Sequence, residues 1–248
     1  MKMNLLEVQG LTKVFAGLTA VSAVDFNVQR GSITALIGPN GAGKTTCFNL
    51  IAGATRCTAG RVRFDGQDIT GLAPEEACER GIARTFQIVR PLTGMSVLEN
   101  VVVGALLREH SVAAAEGQAM AVLKRIGLGA KAHASASALA LPERKLLELA
   151  KALATRPRLL MLDEVMAGLR PTEADGIAQV LRDLNADGLT ILLIEHVMRV
   201  VMAVAQTIVV LHHGEKIADG TATAVAADPR VVESYLGIKA RPNQATAS

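Results

Sequence analysis

A glycine-rich loop between an apolar run and a helical pattern constrains this 248-residue chain more than any other feature. The loop reads Gly38-Pro39-Asn40-Gly41-Ala42-Gly43-Lys44-Thr45. It follows the apolar run 32–37 and opens a helix predicted over 43–52. Glycines allow backbone angles that close amide groups around an anion, and the positive end of the following helix points to the same place. In this pattern the lysine reaches the β- and γ-phosphates of a nucleotide, and the next hydroxyl ligates Mg²⁺.

The motif therefore predicts a nucleoside triphosphate site, although the loop alone does not identify the nucleotide. The alternative is a glycine-rich turn without a ligand, which the complete motif in a strand–loop–helix context disfavours. The residues predicted to contact the nucleotide here are Gly38, Pro39, Asn40, Gly41, Ala42, Gly43, Lys44, Thr45 and Thr46.

Composition argues against several other classes of protein. Hydrophobic residues make up 50% of the chain. No stretch reaches the roughly 20 consecutive apolar residues of a membrane-spanning helix, and the first residues lack the apolar core of a signal peptide. Aromatic residues are only 2% and the net charge of +3 includes no basic block, so we expect no nucleic-acid partner. The 3 cysteines lack metal-ligand spacing, which suits a reducing cytoplasm.

Strand and helix patterns alternate on both sides of a helical middle section. Apolar runs at 33–37, 159–162 and 191–194 predict buried parallel strands, while the alternation at 21–28 predicts an antiparallel or edge strand. Between 91 and 155 we predict only helices, the first opened by a capping box of Ser96 and Glu99 and the third by Pro142 as its first residue. We expect an α/β core (1–90 and 156–240), a helical subdomain (91–155) and a disordered tail (241–248).

Polar residues at the ends of three segments suggest the chemistry of the site. Asp163 and Glu164 follow an apolar run; the first carboxylate suits water-mediated coordination of Mg²⁺ and the second suits activation of an attacking water. His196 ends a similar run, and Gln87 lies where the core meets the helical section. Taken singly, Gln87 and His196 are more typical of a polar loop and of a structural histidine.

Taken together and in this order, these elements resemble the ATP-binding-cassette (ABC) ATPases over nearly the whole chain. The resemblance implies a P-loop NTPase fold of the ABC type, with a mixed α/β sheet core, a helical subdomain and an antiparallel β subdomain. It implies a single ABC nucleotide-binding domain over 1–240, with ATP and Mg²⁺ as ligands. The resemblance places Thr45, Gln87 and Asp163 at the metal.

The same resemblance assigns further roles. Glu164 is implied as the catalytic base, Gln87 as a sensor and His196 as a switch that contacts the γ-phosphate. Phe15 corresponds to the aromatic residue that stacks on adenine.

Within that family, the chain most resembles the ATPase subunits of branched-chain amino acid importers. The resemblance is to the subunit type with the longer helical section. It is carried by the stretches 84–100, 163–173 and 228–237. That group implies a heterodimer with a second ABC ATPase subunit, two membrane permease subunits and an external solute-binding protein that acts through the complex. It implies a peripheral place on the cytoplasmic face of the inner membrane. The implied function is ATP hydrolysis coupled to the import of branched-chain amino acids or related small polar solutes, and the sequence does not reveal the solute.

The chain departs from the family where a stretch close to Leu-Ser-Gly-Gly-Gln is expected. It has Leu139-Ala140-Leu141-Pro142-Glu143, which lacks the serine hydroxyl, lacks one backbone N–H and adds an anion. In the family this stretch completes the nucleotide site of the partner cassette. We therefore expect an asymmetric heterodimer with one strong hydrolytic site, in which Arg144 and Lys145 replace part of the lost contacts. A second departure puts Arg170 where the family often has aspartate.

Two other functions are considered. An ATP-binding regulatory subunit with weak hydrolysis is motivated by the altered stretch, but the intact loop lysine, carboxylates and histidine argue against it. ABC ATPases of DNA repair or translation carry a long coiled coil or two cassettes in one chain, and 248 residues are expected to hold neither.

Overall fold

The computed structural model describes residues 3–87 and 89–236. The strands are β1 (Asn4–Phe15), β2 (Leu18–Gln29), β3 (Ile33–Ile37), β4 (Ala59–Phe64), β5 (Gln67–Asp68), β6 (Ile82–Arg84), β7 (Leu159–Asp163), β8 (Thr190–Ile194), β9 (Thr207–His212) and β10 (Glu215–Gly220). The helices are α1 (Lys44–Ile51), α2 (Pro74–Glu79), α3 (Val97–Ala105), α4 (Val112–Arg125), α5 (Leu141–Ala154), α6 (Pro171–Ala186), α7 (Met198–Val204), α8 (Ala222–Ala226) and α9 (Pro229–Leu236). None of the helices in these residues has the length and apolarity needed to cross a membrane. The tail predicted at 241–248 lies outside the described residues.

The larger sheet has six strands in the order β10-β9-β3-β8-β7-β6. Its strands are parallel except β10, which pairs antiparallel with β9. One face packs against α1 and the second sheet, and the other packs against α5, α6 and α7. Every residue of β3, β7 and β8 is therefore buried, as their continuous apolar runs predict. The carboxyl ends of these three strands carry the glycine-rich loop, the paired carboxylates and the histidine.

The second sheet is antiparallel, in the order β2-β1-β4-β5. The predicted strand at 21–28 is part of β2, whereas the sequence analysis missed β1 altogether. Its pairing with β2 shifts register at several points, and Leu5 and Leu6 are both buried although they are adjacent. These bulges break the two-residue alternation by which a half-buried strand is recognised. The two sheets together confirm the predicted fold class.

Helices α3, α4 and α5 share a third apolar core, which contains Val101, Leu123 and Leu147. The predicted capping box is present: the Ser96 hydroxyl accepts the Glu99 N–H at 3.2 Å, and the Ser96 N–H donates to the Glu99 carboxylate at 2.7 Å. All three helices lie within the stretch 91–155. The division of the chain into a core and a helical subdomain at those limits stays a prediction.

The start of α5 differs by one residue from the prediction. The helix begins at Leu141, so that Pro142 is its second residue and not its first. Ala140 takes the extended N-cap conformation, and its N–H donates to the Glu143 carboxylate at 3.1 Å. Glutamate three residues after an N-cap fixes the helix start in this way.

Candidate functional site

Glycine is required at two positions of the phosphate loop by close backbone contacts. A Cβ at Gly38 would lie 2.1 Å from the carbonyl oxygen of Leu211 in β9, and one at Gly43 would lie 2.6 Å from the carbonyl oxygen of Ala20 in β2. Gly43 has φ 97° and is the N-cap residue of α1, and it provides no side-chain hydrogen bond to the N–H groups of the first turn. The free N–H groups and the positive end of α1 therefore remain available to an anion.

Lys44 is buried, and its ammonium lies inside the loop. Its Nζ donates to the carbonyl oxygens of Gly38 at 2.8 Å and Pro39 at 2.9 Å. Burial lowers the pKa of Lys44, and the carboxylates of Glu164 and Asp163 oppose that shift. Lys44 thus shares one electrostatic environment with both carboxylates.

Asp163, at the end of β7, forms a buried ion pair with Arg84 of β6. Arg84 Nη2 lies 2.9 Å from Asp163 Oδ2, and the two side chains are only 11% and 4% exposed. Arg84 Nη1 also donates to the Asn49 side-chain oxygen of α1 at 2.5 Å. Burial raises the pKa of Asp163, while the hydrogen bond and charge of Arg84 oppose that shift. Arg84 therefore links α1, β6 and β7 beneath the loop.

Glu164 meets the other two predicted catalytic residues. Its Oε2 accepts the Gln87 side-chain N–H at 2.8 Å, and its Oε1 lies 3.8 Å from Nδ1 of His196. The backbone of Glu164 turns into the left-handed region, with φ 49°, and its N–H donates to the Ile194 carbonyl oxygen at 3.0 Å. This backbone turn aims the carboxylate away from the buried strand, so that three residues distant in sequence converge.

The predicted magnesium ligands line one cavity. Thr45, Gln87 and Asp163 all border a cavity of about 710 Å³ that continues along α3 and α5. Hydroxyl, amide and carboxylate oxygens are the hard donors that Mg²⁺ prefers, so these residues fit the ion by their chemistry. In the described structure Gln87 and Asp163 contact Glu164 and Arg84, respectively.

Phe15 ends β1 at the tip of the hairpin that also carries Ala20. Its ring is 45% exposed, and Lys13 Nζ lies 4.7 Å from the ring centroid. An exposed ring with a cation over one face is free to stack on a planar ligand with the other. Its predicted contact with adenine stays a prediction.

The sequence was compared with models of known families. Residues 21–167 match the ABC transporter family, and residues 215–240 match the branched-chain amino acid ATP-binding cassette transporters. The chain belongs to the ABC transporter family. It is an ATP-binding subunit with ATPase activity, and its family resemblance, fold and enzyme class are as the sequence analysis predicts.

Curated relatives and solved structures agree with this assignment of the ABC ATPase. The chain is 39% identical to the high-affinity branched-chain amino acid transport ATP-binding protein BraF of Pseudomonas aeruginosa, over 96% of this chain and 99% of the relative. It is 38% identical to the high-affinity branched-chain amino acid transport ATP-binding protein LivG of Escherichia coli, over 96% of this chain and 99% of the relative. A nucleotide-free ATP-binding cassette from an ABC transporter superposes with a TM-score of 0.87 at 33% identity, covering 95% of this chain and 100% of that one. The ADP conformation of an ATP-binding cassette of an ABC transporter superposes with a TM-score of 0.87 at 34% identity, covering 95% of this chain and 100% of that one.

The altered stretch of this ABC ATPase forms the exposed start of α5. Leu141 is 45% exposed, and Glu143 closes the helix start while it accepts a hydrogen bond from Lys131. The expectation that Arg144 and Lys145 replace part of the lost contacts in a partner's site stays a prediction. Both are held inside their own chain because carbonyl oxygens of that chain accept their hydrogen bonds. Arg144 bonds Leu139 and Ser137, and Lys145 bonds Gln87 and Glu164.

Two residues around the ABC site, Arg84 and Glu195, were missed by sequence reasoning, and Lys145 was assigned only to a partner's site. Arg84 ends the short strand β6, before Gln87. Lys145 lies on the inward face of α5, four residues before buried Leu149, and Glu195 is the charged residue that ends the apolar run before His196. The signal for the last two was available, since a lysine or glutamate placed among buried positions is unusual. The second departure, Arg170, is the N-cap residue of α6 and forms an ion pair with Glu173 in the first turn of that helix.

Proposed function

We propose that this chain hydrolyses ATP at Glu164 and so drives the import of branched-chain amino acids or related small polar solutes. The observation that carries the proposal is the meeting of Glu164 with Gln87 at 2.8 Å and with His196 at 3.8 Å. The names of the relatives, which are branched-chain amino acid transport ATP-binding proteins, support the solute class.

Each group has a defined task in the proposed reaction. The loop amides and Lys44 bind the phosphates, and Lys44 exchanges its two carbonyl partners for phosphate oxygens. Glu164 accepts a proton from a water molecule while the water oxygen bonds to the γ-phosphorus and the bond to the ADP oxygen breaks. Gln87 and His196 orient the water and the γ-phosphate. A bound Mg²⁺ at Thr45, Gln87 and Asp163 supplies charge neutralisation.

The cavity beside Gln87 supports a place in a membrane complex. It is lined by the exposed Phe86, by Val103 and Gly104 of α3 and by Lys151 of α5, so it joins the nucleotide site to the helical section. We infer that an intracellular loop of a permease subunit docks there and moves with Gln87. The complete assembly would contain two permease subunits, a second ABC ATPase subunit and an external solute-binding protein, with this chain peripheral on the cytoplasmic face.

The altered start of α5 supports an asymmetric pair of nucleotide sites. Pro142 has no N–H, and the Glu143 carboxylate is bound within its own chain by Lys131 and Ala140. The site completed by this stretch, which contains the partner's phosphate loop, would hydrolyse slowly. The site formed by the loop of this chain and an intact partner stretch would hydrolyse fast.

The decisive experiment is single-turnover hydrolysis of MgATP by the assembled complex with wild-type chain, Glu164→Gln and Glu116→Gln. Glu116 is an exposed glutamate of α4 and serves as the matched control. Glu164→Gln should bind ATP normally and lose hydrolysis at the strong site by about 10²–10⁴-fold, whereas Glu116→Gln should behave as wild type. Unchanged hydrolysis in Glu164→Gln would remove Glu164 as the base.

Two outcomes distinguish the alternatives. If the complexes with wild-type chain and with Glu164→Gln both bind ATP and both hydrolyse it slowly, the chain is a regulatory subunit; equal and fast rates would instead remove only Glu164 as the base. If the purified chain alone matches the rate of the complex, the asymmetric heterodimer is refuted. Uptake of labelled leucine by reconstituted vesicles, in competition with urea or small amides, tests the solute class.

A further inference from the structure

Two buried charged residues, Lys145 and Glu195, hydrogen-bond the backbone at residues 164 and 166, here called the catalytic loop, and the reaction as described does not use them. Lys145 of α5 is 5% exposed, and Glu195, between β8 and His196, is 1% exposed. Charged side chains are seldom buried to this extent unless they pair with an opposite charge or form hydrogen bonds. Neither contacts the phosphate loop through a hydrogen bond in the described residues.

Lys145 joins the backbones of Gln87 and Glu164, the two residues to which the proposed reaction assigns contact with the attacking water. Its Nζ donates to the carbonyl oxygen of Gln87 at 3.4 Å and to the carbonyl oxygen of Glu164 at 3.3 Å. Those two residues are also joined through their side chains at 2.8 Å. Displacing the ammonium would therefore leave the carbonyl oxygens of Gln87 and Glu164 without this donor and allow their two loops to shift against each other.

Glu195 holds the loop that follows the catalytic carboxylate. Its Oε1 accepts the N–H of Met166 at 2.9 Å, two residues after Glu164. Its Oε2 is buried and has no hydrogen-bond partner in the part of the chain that is described. Burial lowers the pKa of Lys145, and the carboxylate of Glu195 is the largest of the charges that oppose the shift. The two residues thus share one buried electrostatic environment, and each hydrogen-bonds the backbone at or just after Glu164.

We propose that Lys145 and Glu195 are positioning residues for ATP hydrolysis: together they hold the backbone of Gln87, Glu164 and Met166 so that the catalytic carboxylate faces the γ-phosphate. This inference rests on the proposed role of Glu164. Because neither residue hydrogen-bonds residues 38–45 in the described structure, the pair acts on the rate of hydrolysis and leaves the binding of ATP unchanged. Because Lys145 lies in α5, a movement of that helix reaches the catalytic loop directly.

The test compares Lys145→Met, Glu195→Gln and the double variant in the assembled complex, with exposed Lys124→Met as the matched control. We expect kcat to fall by about tenfold or more in each single variant, while the Kd for ATP, measured by calorimetry on the full chain, stays within about threefold of wild type. Since the residues act on one loop, the double variant should lose less than the product of the two single losses. Amide hydrogen exchange over 164–168 should accelerate in both single variants and not in the control.

Three results would overturn the inference: a kcat within about threefold of wild type, a loss of ATP affinity as large as the loss of kcat, or single losses that multiply in the double variant. If Lys145→Met does not fold, Lys145→Leu, which likewise has no N–H donor, replaces it under the same criteria. Glu164→Gln is measured in parallel. An active Glu164→Gln refutes the proposed function, whereas an inactive Glu164→Gln beside a wild-type rate in Lys145→Met refutes this inference alone.

Discussion

Replacing Arg84 with methionine should destabilise the protein because it leaves Asp163 as an uncompensated buried charge. The side chains of the pair are only 11% and 4% exposed, and their closest atoms lie 2.9 Å apart. With charge centres about 4 Å apart and an effective dielectric constant of about 20, their attraction is about 4 kcal/mol. Removing one partner of a buried pair costs about 3–5 kcal/mol, so we expect a loss of that size in the free energy of unfolding.

The assay is urea unfolding followed by circular dichroism, completed as a double-mutant cycle with Asp163→Asn. A loss of about 3–5 kcal/mol corresponds to a melting temperature about 6–20 °C lower for a chain of this length. The double variant should regain much of the loss, since it carries no unpaired charge. Arg30→Met is the matched control, because Arg30 and Asp65 form an ion pair whose side chains are 43% and 37% exposed, and exposed pairs are screened.

The reasoning fails if Arg84→Met costs less than about 1 kcal/mol, or no more than Arg30→Met. It also fails if the losses of the two single variants at the buried pair simply add, because additivity would mean that the charges do not interact.

Three further predictions follow from the same structure. Gly38→Ala should abolish ATP binding and lower the melting temperature, because its Cβ would lie 2.1 Å from a carbonyl oxygen of β9; Gly94→Ala, whose Cβ meets nothing within 4 Å, should do neither. Burial raises the pKa of the Cys47 thiol to about 12, so a thiol reagent at pH 8 should spare this one of the 3 cysteines until the protein is unfolded. The hydrogen bond from Lys131 lowers the pKa of Glu143; its stabilisation is therefore complete above the unfolded value of 4.5, and the melting-temperature gap to Glu143→Gln should close as the pH falls below it.

The sequence predicts best what depends on neighbours along the chain. The loop from Gly38 to Thr45, the capping box of Ser96 and the carboxylates that end β7 are all local patterns, and each lies where it is predicted. The roles of the loop and of the two carboxylates in ATP hydrolysis stay predictions, which the activity and binding measurements on the variants test. The meeting of Gln87 with Glu164 followed only from the family resemblance, because no local pattern brings them together.

What could not be predicted depends on distant partners. The pairing of Arg84 with Asp163 crosses 79 positions of sequence, and nothing local marks it. The contacts of Lys145 could not be predicted because a lysine near a helix start is ordinarily solvated, whereas here two backbone carbonyls of its own chain accept its hydrogen bonds. Strand β1 escaped recognition because its bulges break the alternation of buried and exposed residues.

The position of β3 between β8 and β9 sets the order in which a newly made chain acquires its nucleotide site. The loop after β3 is translated before its neighbours Thr190–Ile194 and Thr207–His212, and before Gly214, whose N–H donates to the Ala42 carbonyl oxygen of the loop at 3.1 Å. The phosphate loop therefore leaves the ribosome well before the strands that hold it in place. ATP in the cell then stabilises this subunit only once β8, β9 and Gly214 have been synthesised, and gives no help to the preceding strands and helices during translation.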